Sequence, residues 1–341
     1  MRSRYPKGLA VFAAAALLAA GCGVPGGSSS STSSRSGAVT VKLALPHKGL
    51  LTTSLPYAVA KARGFFKDQG INVQPVYTSG GGSTVQTTIG GNTDIAVETG
   101  PSAVFSAYEH GAKLKIIGAT MTGLDILFFV KESSPYHSLK DLSGKKVGYS
   151  EPGSSSNVAV DQVNARLKKM GRAPAKPEAV GSPPDQLTAV QTGQIAAGFT
   201  AAPLFFDKVA AGKLRIVAEP KDFPAYSDVA VRVAFTSADF AQQHAKAVRG
   251  FLAAWHKAWK WSFAHQKQAT KIYKKAFDLD QDLASLRKSF DYYTPRMVRL
   301  APVHGLDQAA KDALRFKLIE KPLSDKELSE ILDTSYAPKG A

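Results

Sequence analysis

From Val39 onward the chain alternates β-branched runs with segments of helical period, and this alternation restricts the fold more than any other feature. "VTVKLALP" (Val39–Pro46), "INVQPVYT", "TDIAVE" and "LKIIGAT" read as strands. Between them "SLPYAVAKARGFF", "GGGSTVQTTIGG" and "TGPSAVFSAYEHG" read as helices, with Pro56 near a start and Gly64 at a stop. Strands separated by helices predict an α/β fold, a parallel sheet with helices on its faces. A second set of the same kind follows Met121. "ILFFVKESS" is an apolar strand, "SLKDLSGKKVGYS" a short helical turn and a strand, and "LRIVAEP" another strand. "DVAVRVAFTS" reads as a strand leading back to the first set, and the chain from Asp239 is mostly helical. The halves echo each other in "VQTTIGGNTDIAV" and "AVQTGQIAAGFT", as two similar lobes would.

In open α/β sheets ligands sit at the carboxyl ends of strands. Those ends carry glycines and small hydroxyl residues in both halves. The candidate ligand contacts are His47; Gly80, Gly81, Gly82, Ser83 and Thr84; Thr99 and Gly100; Thr122 and Asp125; Ser150, Gly153, Ser154, Ser155, Ser156 and Asn157; and Thr200. The richest stretch is "VGYSEPGSSSNVAV", Val147 to Val160, where a strand hands over to a helix. Its serines and asparagine serve as caps for orphan N–H groups, or as an anion seat at the positive end of a helix. Several turns of this kind in both halves favour a shared cleft.

The N-terminus joins Arg2, Arg4 and Lys7 to an apolar run from Leu9 to Ala20, then Gly21 and Cys22. That pattern is an export signal, and the run falls short of the roughly 20 apolar residues that span a bilayer. "LLAAGC" resembles a bacterial lipobox, which implies acylation of Cys22, the only cysteine in the chain, and a lipid tether to the cell membrane. "GVPGGSSSSTSSRSGA" is too polar to bury a core and reads as a flexible tether. The divisions expected are a signal at 1–21, a tether at 22–38, one lobe from 39–124 plus 228–341, and a second from 125–227. The formal charge of +16 falls to +13 without Arg2, Arg4 and Lys7. Export and the even spread of basic residues argue against nucleic acid, leaving a surface facing anionic lipid or attraction of an anionic ligand.

The blocks of the chain resemble bacterial ABC-transporter solute-binding proteins, in the group for nitrate, sulfonate, taurine and thiamine-pyrimidine precursors. "PYAVAKARGFFKDQGINV" carries the opening signature through Pro56, Ala60, Gly64, Phe65, Phe66, Gly70 and Val73. "GGNTDIAVETGPSAVFSAYEHG" supplies Gly91, Asp94, Gly100 and Pro101, followed by "SLKDLSGKKVGYSEPGSS" and "FLAAWHKAWKWSFAHQKQATKIYKKAF". One departure is Ala196, where members usually carry aspartate, and it weakens any assignment around Thr200–Pro203.

The resemblance implies a two-lobed periplasmic-binding-protein-like fold with a hinge cleft and a helical C-terminal extension. It further implies capture of a small organic anion or zwitterion, sulfonate- or taurine-like, for delivery to an ABC permease and its ATPase subunits by an extracytoplasmic, lipid-anchored monomer. A thiamine-pyrimidine precursor or other heteroaromatic, and a ligand-sensing partner of a membrane receptor, are the alternatives. Glu98, Asp125 and Glu151 lie near the expected cleft; one pointing inward would ask for an amine on the ligand, and the other role for each is capping or ion pairing. Tyr57 either stacks on a ring or packs under its helix. Phe251, Trp255, Trp259 and Phe263 repeat at helical spacing, which reads as core.

One eukaryotic branch of the wider group makes a thiamine pyrimidine using a cysteine-rich stretch and histidine, but no cysteine follows Cys22 here. There is no His-x-x-x-His or Cys-x-x-Cys pattern for a metal and no Gly-x-Ser-x-Gly elbow. No enzyme, cofactor, metal or nucleic-acid partner is expected.

Overall fold

The computed structural model of the protein describes residues 38–341. The signal at 1–21, Cys22 and all but the last residue of the tether lie outside the described residues.

The first set of elements runs β1 (Val39–Pro46), α1 (Leu51–Ala62), α2 (Phe65–Asp68), β2 (Ile71–Thr78), α3 (Gly81–Ile89), β3 (Ile95–Thr99), α4 (Pro101–Glu109) and β4 (Leu114–Thr122). A second set follows as β5 (Leu127–Lys131), β6 (Lys146–Tyr149), α5 (Ser155–Lys169), β7 (Lys176–Ala179), α6 (Pro183–Thr192), β8 (Gly198–Thr200), α7 (Phe206–Ala210) and β9 (Leu214–Ala218). Strand β10 (Ala230–Ser237) then leads into α8 (Ala238–Gln243), α9 (Ala245–Ala264), α10 (Gln266–Phe277), α11 (Leu283–Lys288), α12 (Leu306–Arg315) and α13 (Asp325–Ile331).

The five-stranded sheet has the order β2-β1-β3-β10-β4. Strands β1, β2 and β3 are parallel, as the alternation predicts, but β10 lies antiparallel to both β3 and β4 and separates them. The expected all-parallel sheet is therefore mixed. A strand returning from the second set has no helical crossover to turn it round, so it enters in the opposite sense. The other sheets are β8-β5-β9, wholly antiparallel, and the parallel pair β6-β7. Among the described residues the chain passes between the first sheet and the smaller two at two places, residues 123–126 and 219–229.

The core lies between the sheets and their covering helices. Phe251, Trp255 and Trp259 of α9 are buried and Phe263 partly so, which bears out the core reading of that stripe. Tyr57 is buried beside Phe66, with ring centroids 6.2 Å apart, so it packs under its helix. Such aromatic burial is a large apolar contribution. It fixes α9 against α1 and leaves the strand ends free to form the site.

Candidate functional site

The carboxyl ends of β1, β3 and β6 converge on one small enclosed cavity. It is lined by Pro46, His47, Leu50, Thr52 and Thr53 after β1, by Gly81, Glu98 and Gly100, and by Ser150, Ser154, Ser155 and Ser156 at the start of α5. Ile126, Phe199 and Arg232 complete the wall. Its volume is about 20 Å³, room for about one water. A surface groove of about 730 Å³ along α3 and α4 is larger but apolar and open, lined by Val85, Ile89, Ala103, Ala107 and Leu318. The smaller cavity is the candidate because buried ionised groups meet there.

Arg232 is the hub of these groups. Its Nε donates to Ser155 Oγ at 2.9 Å, and its Nη1 to Asp125 Oδ2 at 3.1 Å and Glu98 Oε2 at 3.3 Å. Its Nη2 pairs with Asp125 Oδ1 at 2.5 Å. Tyr293 donates to the same carboxylate at 3.0 Å. All three charged side chains are at most 5% exposed. A buried charge is retained only when paired and hydrogen-bonded. Burial disfavours the charge on Arg232, but Asp125 and Glu98 outweigh it and hold the guanidinium protonated above its usual range. Burial pushes the Glu98 carboxyl up, against the pull of Arg232. Burial, with Arg232 second, pulls His47 down to about 3. The His47 ring packs edge-on to Phe199, centroids 5.9 Å apart.

Glu98 and His47 share two further properties. Each has a left-handed backbone, φ +57 and +54 respectively. Each also keeps a buried polar atom without a partner, Glu98 Oε1 and His47 Nδ1. Non-glycine residues hold such a conformation only where their surroundings over-determine it, and functional sites are where they cluster.

Of the residues singled out from the sequence, His47, Gly81, Gly100, Ser150, Ser154, Ser155 and Ser156 line this cavity. Asp125 lies behind it on Arg232. The serine stretch also caps its helix: Ser154 Oγ accepts from Asn157 N at 3.1 Å and shares a bond with Ser156 Oγ at 2.9 Å. Asn157 itself holds the turn, accepting from Gly153 N at 3.2 Å.

The glycine turn before α3 faces something else. Glu151 reaches across from the second set of elements, accepting from Ser83 N at 2.9 Å and Ser83 Oγ at 3.1 Å. Its carboxylate fills the space beside Gly80 and Gly82. The anion at that helix start is the protein's own. Thr84 bonds Gly80 O at 2.7 Å, Thr99 bonds Val97 O at 3.3 Å and Thr200 bonds Leu204 O at 3.0 Å, so those hydroxyls are occupied locally. Thr122 is buried at the end of β4, its N–H on Met297 O at 2.7 Å. None of Gly80, Gly82, Ser83, Thr84, Thr99, Thr122, Gly153, Asn157 and Thr200 lines the cavity.

Sequence reading missed Arg232. The signal was a lone arginine inside the apolar run "VAVRVAF". Thr52 and Thr53 were missed too. Among the described residues no group of three or more His, Cys, Asp and Glu side chains is placed to hold a metal ion. Among them, too, no helix is long and apolar enough to cross a membrane.

Residues 52–269 match the family model described as NMT1/THI5 like. No curated protein matches the chain. Among solved structures, the alkanesulfonate-binding protein SsuA of Xanthomonas axonopodis pv. citri, bound to MOPS, is similar at 16% identity and TM-score 0.70, over 86% of this chain and 98% of that one. The periplasmic aliphatic sulphonate binding protein SsuA of Escherichia coli is similar at 18% identity and TM-score 0.66, over 87% and 99%. The periplasmic nitrate-binding protein NrtA of Synechocystis PCC 6803 is similar at 14% identity and TM-score 0.67, over 87% of each chain. These likenesses establish the periplasmic-binding-protein fold.

Proposed function

The chain belongs to the NMT1/THI5-like family, and on that premise we propose that it is the solute-binding component of an ABC importer. Residues 39–124 with 228–341 form one lobe and 125–227 the other, and a small solute is held between them unaltered and handed to the permease. The observation that carries this reading is the convergence of turns from both sets of strands on one buried cavity around Arg232.

Capture requires the lobes to part, because a cavity of about 20 Å³ is far below the roughly 300 Å³ of an ordinary ligand site. The two crossings, residues 123–126 and 219–229, are the hinge. A ligand favours the closed form only through contacts that the open form lacks. The solute class is a small zwitterion or organic anion of the sulfonate or taurine kind. Its anionic end would meet the first-turn N–H groups and hydroxyls of α5, where the side chain of Ser154 occupies only the N–H of Asn157. A thiamine-pyrimidine precursor or other heteroaromatic, with Glu98 toward its amino group, is the second reading. The sensor role differs only in the partner, and co-purification with a permease separates the two. The chain acts as a monomer without a cofactor, exported and held at the cell membrane by a lipid on Cys22.

A melting screen tests this. A solute at a hundred times its Kd stabilises by about 2.7 kcal/mol, a shift of several degrees. Taurine, alkylsulfonates or aminopyrimidines are expected to produce it. A flat response across those classes and nitrate would contradict the proposal.

A further inference from the structure

The cavity wall bears on which solutes are turned away. Four N–H bonds of Arg232 already run to Ser155, Glu98 and Asp125. Of the five N–H groups on a guanidinium that leaves one free. An incoming anion therefore meets a cation that two buried carboxylates already balance. The buried polar atoms left without partners on the same wall are Glu98 Oε1 and His47 Nδ1. An ionised carboxylate offers only acceptors, and a neutral imidazole offers one acceptor and one donor. His47 is held neutral at ordinary pH, since its proton affinity is pulled down to about 3. Glu98 Oε1 asks for a donor when its carboxyl is ionised, and His47 Nδ1 asks for one in the tautomer that carries its proton on Nε2. The left-handed backbone at both residues marks the arrangement as one that local chain preference opposes.

We propose that Glu98 and His47 together read a hydrogen-bond donor on the solute, a cationic amine or a ring amino group, so that the cleft rejects anions of equal size lacking one. This rests on the solute-binding reading above and narrows it. The physical basis is asymmetry. A solute with the donor satisfies the buried acceptors facing the cavity, and a solute without one that fills the same space leaves them unpaired at full desolvation cost. The two carboxylates around a single guanidinium also leave one negative charge in excess when both are ionised, which an ammonium group neutralises.

The test is equilibrium binding of the purified protein to matched pairs: taurine against ethanesulfonate, and 4-amino-2-methylpyrimidine against 2,4-dimethylpyrimidine. The amine-bearing member of at least one pair is expected to bind about 100-fold tighter than its partner. Glu98→Gln, checked for folding by circular dichroism, is expected to narrow that ratio to below about tenfold, because the amide brings its own donor. Equal binding within the pairs, or a ratio unchanged in folded Glu98→Gln, overturns the donor reading and leaves solute binding standing. Binding of no member of either pair overturns the donor reading, and solute binding falls with it where the melting screen is flat as well. The wild-type pairs decide the matter even if the variant does not fold.

Discussion

Arg232 shows why a buried ion cluster is a commitment. Its guanidinium is enclosed with two carboxylates and a tyrosine hydroxyl, and removing one charge leaves the others buried and unpaired. Arg232→Met is therefore expected to lower unfolding stability by about 3–5 kcal/mol, measured by urea titration, and a loss below about 1 kcal/mol would contradict the ion cluster described. His47 makes a second prediction, on the acid side. The folded form resists a proton down to about 3, while the unfolded chain takes one near 6.5. Stability contributed by keeping this ring neutral is present above pH 6.5 and is lost as the pH falls toward 3, at roughly 1.4 kcal/mol per pH unit at most. His47→Asn, which tolerates the left-handed backbone, should flatten that part of the pH–stability curve. An identical curve in the variant would show that the ring is not shielded from protons.

At the level of elements, the turns after β3 and β6 meet backbone to backbone. A Cβ on Gly100 would strike the carbonyl oxygen of Gly153, and Gly153 itself has φ +76 with Ala103 N 2.9 Å from where its Cβ would stand. Beside this contact Glu151 clasps the start of α3. Gly100→Ala is expected to prop the two sets of elements apart, raising the radius of gyration in X-ray scattering and weakening solute binding at least tenfold. Unchanged scattering and affinity would mean that the close approach does not govern closure. The strands were legible from the sequence where pattern is local: β1 and β2 fall at the predicted boundaries, because β-branched runs ended by glycines leave little choice. What was not legible depends on distant partners. No local signal says that β10 will slide between β3 and β4, or that Glu151 will reach a serine 68 residues away. The serine stretch lines the cavity and caps its helix, so the two roles weighed from the sequence are not exclusive, since the same hydroxyls serve both. Arg232 was overlooked because one charge in an apolar strand reads equally as a side chain snorkelling to solvent.

Across the whole molecule, the proposed function asks for two parts that hinge and for a chain held at the membrane. A net charge of +13 without Arg2, Arg4 and Lys7 would suit the proposed position beside anionic headgroups. Cys22→Ser in the full chain should move the protein from the membrane fraction to the soluble extracytoplasmic fraction, and persistence in the membrane fraction would contradict anchoring through that thiol. On the proposed function, one solute is enclosed between the parts at Arg232, Glu98 and the start of α5. Native mass spectrometry of the purified chain tests it most directly. The predicted spectrum, taken after incubation with the tightest solute of the melting screen, shows one solute per chain, lost when the protein is unfolded and sharply reduced in Gly100→Ala. A chain that stays bare, or one that retains the solute equally in Gly100→Ala, would contradict it.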